Sequence, residues 1–255
     1  MKKKIIYLLI FIFVFSSLGC NNNETDKVNG NIDEEEILQE YFFPKELNYT
    51  GLYAGDYLVD KFYPIGWSKE GHFAFITEYA DEGIGGYMFK IDVINLINDQ
   101  VEWSWESEPD DDNYREEIWK DNYKTIKTEL NKYGIIQKRN MEIGNVFFNY
   151  KGKEFNIKLK TETEVDRDYG FDVIVGTKIY LNSPQLGNKK VYEYKETDYS
   201  MILSQLIAGY IMSPYEDRIL IILKNERWGW EGVPSVVYFE LTGANLTTGF
   251  QPETN

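Results

Sequence analysis

The chain reads as mainly β (α+β), built from antiparallel meanders with one helix. Three observations predict this. Aromatic residues make up 16% of the sequence, with 20 Tyr and 15 Phe, and such side chains suit a pleated, half-buried surface. Several short runs alternate apolar and polar residues with the period of two that a strand imposes. Gly, Asn and Asp punctuate those runs at close intervals, as tight connections between neighbouring strands require. Beyond an N-terminal leader and a polar stretch, about 210 residues remain, enough for a single domain with one proper core. Its expected bounds are residues 38–250.

The leader comes first. Lys2, Lys3 and Lys4 precede an apolar run from Ile5 to Phe15, followed by the small residues Ser16, Ser17 and Gly19 and then Cys20. A basic start, a short apolar run and small residues before a cleavage point describe a secretory signal peptide over residues 1–19. The run falls short of the roughly 18–20 apolar residues a spanning helix needs. Ser17-Leu18-Gly19-Cys20 resembles the lipobox of bacterial lipoproteins, although Ser17 stands where that family usually has Leu. The resemblance implies acylation of Cys20 and attachment to a membrane through that lipid. Cys20 is the single cysteine and so has no internal disulfide partner. Residues 20–37 are acidic, polar and free of aromatics, the composition of a flexible tether. Asn21 is not the Asp that marks inner-membrane retention in some lipoproteins, so the resemblance points to the outer membrane or cell surface of a two-membraned host.

Strands follow along the domain. Phe73–Thr77 and Gly86–Val93 flank an acidic, glycine-rich connection, Asp81–Gly85. Val101, Trp103 and Trp105 alternate with Glu102, Ser104 and Glu106, placing the two tryptophans on one face, where with Val101 they read as core. The helix is expected near 113–133. Asn113 and Glu116 form a capping-box pattern, Ile118, Tyr123, Ile126, Leu130 and Tyr133 recur at three to five residues, and Gly134 supplies a stop. Further strands are expected over Asn145–Tyr150, Glu154–Lys160, Phe171–Leu181, Val191–Tyr194, Arg218–Lys224 and Ser235–Leu241. Ser200–Ala208 is ambiguous between helix and buried strand.

Gly66-Trp67-Ser68-Lys69-Glu70-Gly71-His72-Phe73-Ala74-Phe75 carries a more specific pattern. A strand meets a tight turn and returns; the Ser hydroxyl and the acidic side chain are placed to bond turn amides, and Gly71 permits a positive φ. This stretch resembles the hairpin unit of TolB-like propeller blades, with Lys69 and Glu70 replacing the usual Pro and Asp, and Phe89-Lys90-Ile91-Asp92 matching that family's next strand. A second unit is Met212-Ser213-Pro214-Tyr215-Glu216-Asp217-Arg218-Ile219-Leu220-Ile221, running on to Val236–Leu241. Two blade-like units, at about 62–106 and 207–246, are too few for a closed ring. The resemblance therefore implies an incomplete propeller-like or two-sheet assembly. The order of hairpin, helix, middle β segment and Gly229-Trp230-Glu231-Gly232-Val233-Pro234 also resembles a family of secreted bacterial proteins of unknown function, over roughly Ile65 to Gly249. That likeness implies export and a shared fold and supplies no activity.

Charge and residue supply narrow the function classes. The formal charge is −15, and loss of Lys2, Lys3 and Lys4 with the leader takes it to about −18, which repels phosphate backbones and makes nucleic acid a poor partner. His72 is the single histidine, expected as a polar residue of its hairpin. With Cys20 committed to lipid, His/Cys zinc sites and Cys–His dyads lack material. No nucleophile-elbow, Walker A or dinucleotide pattern is present, and no cofactor is expected. Asp166-Arg167-Asp168-Tyr169-Gly170-Phe171-Asp172 has a weak likeness to a calcium loop, with Asp166, Asp168 and Asp172 as conceivable ligands. The fifth and sixth positions do not fit, and a plain turn is the simpler reading. Trp228 and Trp230, in a Gly- and Pro-containing segment, suit a partly exposed aromatic contact.

The expectation is a lipid-anchored envelope protein whose domain is a non-catalytic binding module for an envelope protein or glycan. Trp228, Trp230 and Glu231 are the candidate contacts. Two alternatives remain: an acidic-residue enzyme acting on envelope glycans, which needs two carboxyl groups about 5–10 Å apart in a cleft, and a structural surface lipoprotein.

Overall fold

The computed structural model describes residues 44–46, 57–80, 88–109, 115–167, 170–195, 201–229 and 232–252, with the backbone alone at 57 and 232–235. The leader, Cys20, the tether, the 81–85 connection, Asn113, Asp168, Trp230 and Glu231 lie outside these residues. The chain divides into Met1–Glu40 and Tyr41–Asn255, and the fold described is that of the second unit.

In chain order the strands begin with β1 (Tyr57–Val59), β2 (Lys61–Trp67), β3 (His72–Glu78), β4 (Phe89–Asn95) and β5 (Gln100–Glu106). The helix α1 (Arg115–Lys132) follows, then β6 (Ile136–Gln137), β7 (Phe147–Tyr150), β8 (Lys153–Val165), β9 (Asp172–Ser183) and β10 (Gly187–Lys195). The last three are β11 (Ile202–Met212), β12 (Arg218–Gly229) and β13 (Gly232–Asn245). The fold is mainly β with one helix among the described residues. The strands group into three sheets, ordered β5-β4-β3-β2-β6, β10-β9-β8-β7 and β1-β13-β12-β11. Every pairing is antiparallel except β1 with β13. The two blade-like units are meanders in different sheets, β2–β5 in the first and β11–β13 in the third.

Burial explains how the sheets stack. On α1, Ile118, Trp119, Tyr123, Ile126 and Leu130 form one apolar face, and it packs on Tyr63, Ile65, Ile76, Ile91 and Val93 of the first sheet. The other face of that sheet presents Phe62, Phe73, Phe75 and Ile94 to Ile211, Leu220 and Ile222 of the third. From the third sheet, Ile219, Ile221 and Leu223 point the opposite way, onto Phe155, Ile157, Ile179 and Leu181 of β8 and β9. The layers thus run helix, first sheet, third sheet, second sheet. This is why Ile219 to Leu223 shows no alternation: β12 is covered on both faces, so both sets of side chains must be apolar. Of the ambiguous Ser200–Ala208 run, residues 202–208 belong to strand β11, whose pairing with β12 outweighs its helix-compatible spacing; Ser200 lies outside the described residues.

Turns and caps use the chemistry written in the sequence. Ser68 Oγ accepts from the amides of Glu70 (3.1 Å) and His72 (2.9 Å), and Gly71 has φ 85°. Ser213 Oγ repeats the motif more loosely, accepting from Tyr215 and Glu216 at 3.3 and 3.4 Å. Helix α1 carries Glu116 and Glu117 in its first turn and Lys132 in its last, matching its dipole. It stops at Gly134 (φ 65°), where Ile135 N donates to Leu130 O and Gly134 N to Asn131 O, both at 3.0 Å. These two bonds satisfy helix-end carbonyls in a Schellman arrangement.

One junction locks the first sheet to the third. The β4–β5 turn reaches β13, where Asp99 accepts from the Thr242 hydroxyl (2.8 Å) and the Gly243 amide (2.7 Å). Arg218 donates to Leu96 O at 2.6 Å. A Cβ on Gly243 would lie 2.1 Å from that carbonyl oxygen, so only glycine allows this approach. Among the described residues no helix is long and apolar enough to cross a membrane.

Candidate functional site

A cavity of about 460 Å³ lies between the two blade-like units, within the roughly 300–1,000 Å³ range of small-molecule sites. Its walls are the end of β2 at Trp67, the connection 138–144 after β6, and Tyr210, Ile211 and Met212 at the end of β11. Trp67 and Met212 each precede a turn serine, Ser68 and Ser213. The two hairpins therefore offer equivalent positions to one space.

The connection that roofs the cavity is pinned at both ends. Lys138 N donates to Ile65 O at 3.0 Å, and Gly144 pairs with Tyr210 through N–H···O bonds of 2.8 and 3.2 Å. A Cβ on Gly144 would come within 2.3 Å of the Tyr210 ring, so glycine is what lets that ring lie against the connection.

Against the cavity floor, Trp67 is only 1% exposed, and its buried indole Nε1 has no hydrogen-bond partner among the described residues. Burying such a donor unpaired costs about 1–3 kcal/mol. The residue is fixed by packing edge-on to Phe73, ring centroids 5.0 Å apart. Tyr210 is tilted over Phe148 at 4.3 Å, and burial raises its hydroxyl pKa, so the phenol stays neutral and can both donate and accept. Lys138, Asn140 and Glu142 supply the remaining polar side chains, and Met141, Ile143, Ile211 and Met212 the apolar surface.

A second polar group looks catalytic in outline. His72 Nδ1 is 3.3 Å from Ser68 Oγ, and His72 Nε2 is 3.0 Å from Glu102, a serine–histidine–acid chain with the two ring nitrogens exchanged relative to a catalytic triad. Ser68, however, is 1% exposed and its oxygen already accepts two turn amides. A nucleophile must reach a substrate carbonyl, and this oxygen is held inside its turn. The group is a clamp: Glu102 also accepts from Asn95 at 2.8 Å, and these bonds, from Asn95 first and His72 next, lower its pKa. His72 further packs against the Tyr133 ring, centroids 5.6 Å apart, tying the helix end to β3.

A third cluster fastens the start of α1 to the sheet. Buried Glu78 pairs with Lys61, and with Arg115 at 3.0 Å. It accepts from the Tyr63 hydroxyl at 2.9 Å, and the Arg115 guanidinium also reaches that hydroxyl. Burial, then the Glu78 charge, pushes the Tyr63 pKa far up. The adjoining Tyr79 is pushed up to about 12 by burial and by Glu106, Asp92 and Asp60. Both phenols are therefore neutral at any ordinary pH.

The residues singled out in the sequence fall elsewhere. Trp228 is half-buried near the end of β12, stacked on Phe171 at 4.9 Å and 15°, with its amide donating to Met201 O at 3.0 Å. Trp230 and Glu231 lie outside the described residues. Of the three aspartates, Asp166 is buried, Asp172 is exposed at the start of β9, and Asp168 is outside the described residues. Asp166 N donates to Phe171 O at 2.8 Å and Gly170 N to Asp166 O at 2.9 Å, the bonds of a connection between paired strands. Among the described residues no group of three His, Cys, Asp or Glu is placed to hold a metal ion. Trp103 and Trp105 are half-buried against the helix-side core, while Val101 is 49% exposed.

Sequence reading missed the cavity because its walls come from three distant segments, two of them read only as strand ends. The usable signal was the large apolar residue before each turn serine. Compared with protein-family models, with curated proteins and with solved structures, the chain finds no match.

Proposed function

We propose that the chain is an exported, lipid-tethered envelope protein whose β domain is a binding module, with the cavity between the blade-like units as its site. The observation that carries this reading is the cavity itself, about 460 Å³ and lined by polar and apolar residues together, where the two hairpins and the 138–144 connection meet. The lipobox resemblance at Ser17–Cys20 supports the address.

Binding is favoured over glycan hydrolysis at this site by its carboxylates. Glu142 is the single acidic residue among those lining the cavity, and the usual glycosidase arrangement uses a pair. Trp228 stacks on Phe171 and is half-buried; it is kept as a second candidate contact.

The test is a pull-down from cross-linked envelopes using the full lipoprotein, a Cys20→Ala form, and an Asn140→Trp form that narrows the cavity mouth. The native protein is expected in the membrane fraction with a specific bound component. Cys20→Ala should leave the membrane fraction, and Asn140→Trp should stay there without the component. Equal recovery by the native and Asn140→Trp forms would remove the cavity from the proposal.

A further inference from the structure

We infer that the cavity takes a neutral, hydroxyl-rich sugar unit; the inference rests on the binding-module reading and names its ligand class. Three features of the lining select this chemistry. First, its formal charges cancel, with Lys138 and Glu142 as the two ionic side chains. A phosphate or carboxylate ligand would meet Glu142 in a chain of charge −15, and a cationic one would meet Lys138. Second, donors and acceptors are mixed. Lys138 only donates, Glu142 accepts, and Asn140 and the Tyr210 hydroxyl do both. Hydroxyl groups match such a set because each can donate and accept. Third, the half-buried Met141, Ile143 and Met212 also line the cavity, so apolar surface stands beside the polar groups, as a ligand with both C–H and O–H surface requires.

An extended peptide is the nearest competitor, since β11 is an edge strand of its sheet. Peptides that bind by strand addition use free backbone groups on such an edge. At Tyr210 those groups are taken: both its N–H and its C=O are bonded to Gly144. Side chains remain as the recognition surface, which favours a ligand read by its hydroxyls.

The six tryptophan indoles provide the readout. Indole ¹⁵N–¹H spectra of the full chain, held in micelles of a detergent without a sugar headgroup, would be recorded with cellobiose, diacetylchitobiose or trialanine added. The Trp67→Phe spectrum identifies the Trp67 resonance. At about 10 mM sugar, a concentration that detects millimolar affinity, one of the disaccharides should move that resonance and trialanine should not. Tyr210→Phe and the surface change Asn140→Ala should each weaken the response about three- to tenfold, the loss of one hydrogen bond. Neither depends on whether Trp67→Phe folds well. Movement with trialanine alone would overturn the sugar class and leave the binding-module reading standing. No movement with either disaccharide overturns the inference, and the envelope pull-down then judges the broader reading separately.

Discussion

Single residues set the turns and the junctions. Ser68 and Ser213 occupy matching places in the two hairpins, yet Ser68 is the tighter acceptor, with bonds of 3.1 and 2.9 Å against 3.3 and 3.4 Å. Ser68→Ala strands two turn amides and should cost about 1–3 kcal/mol, while Ser213→Ala should cost less. Urea unfolding of both variants checks the order. Asp99 tests the junction with β13. Burial, only partly offset by the Gly243 and Thr242 bonds, raises its pKa. In the acidic window between its unfolded and folded values the folded state binds more protons, so its contribution is most favourable below the unfolded value. That contribution is lost as pH rises through the folded value. Asp99→Asn keeps an acceptor and does not ionise, so its stability relative to the parent should be higher at pH 7 than at about pH 4. Urea midpoints at the two values decide this, and a constant difference would reject it.

At the scale of elements, strands and helix were legible wherever local pattern and packing agreed. The alternation around Trp103 and Trp105 and the apolar spacing from Ile118 to Leu130 each predicted an element that the structure contains. The turn serines and the Gly134 stop were legible for the same reason, since their bonds close within a few residues. What stayed hidden was set by long-range contact. β1 and β6 are two or three residues long and exist because a neighbouring strand pairs with them. Val101 reads as core by alternation but is exposed, because the register shift between β4 and β5 at Val93/Ile94 interrupts the alternation beside it. Trp228 offers an element-scale test. Trp228→Ala removes the stack on Phe171 and should destabilise the fold by about 0.5–1.5 kcal/mol beyond its area burial, visible as a lower thermal midpoint with the cavity response unchanged.

For the whole molecule the decisive strand is β12, whose two faces serve different cores. Ile221→Ala and Ile222→Ala open cavities on opposite sides and should each cost about 2–5 kcal/mol. Because one strand joins both cores, each variant should still unfold in a single transition, with tryptophan fluorescence and far-ultraviolet circular dichroism superimposed. Separate transitions would show that the first and second sheets unfold independently. The candidate site belongs to this scale too: Trp67, Asn140 and Tyr210 come together only once the first sheet has stacked on the third. For that reason motifs revealed the hairpins and not the space between them.

The one parallel pair among the described strands has a mechanical consequence. β1 runs alongside β13 in register from Tyr57↔Ser235 to Val59↔Val237, and Asp60 N bonds Val237 O at 2.9 Å. Parallel strands pulled from opposite ends slide lengthwise, so their rungs are strained together instead of parting one at a time. A tug on the chain ahead of Tyr57, resisted at the far end of β13, would load this short ladder in shear. Under that load the three residue pairs and the Asp60–Val237 bond would share the force and yield together.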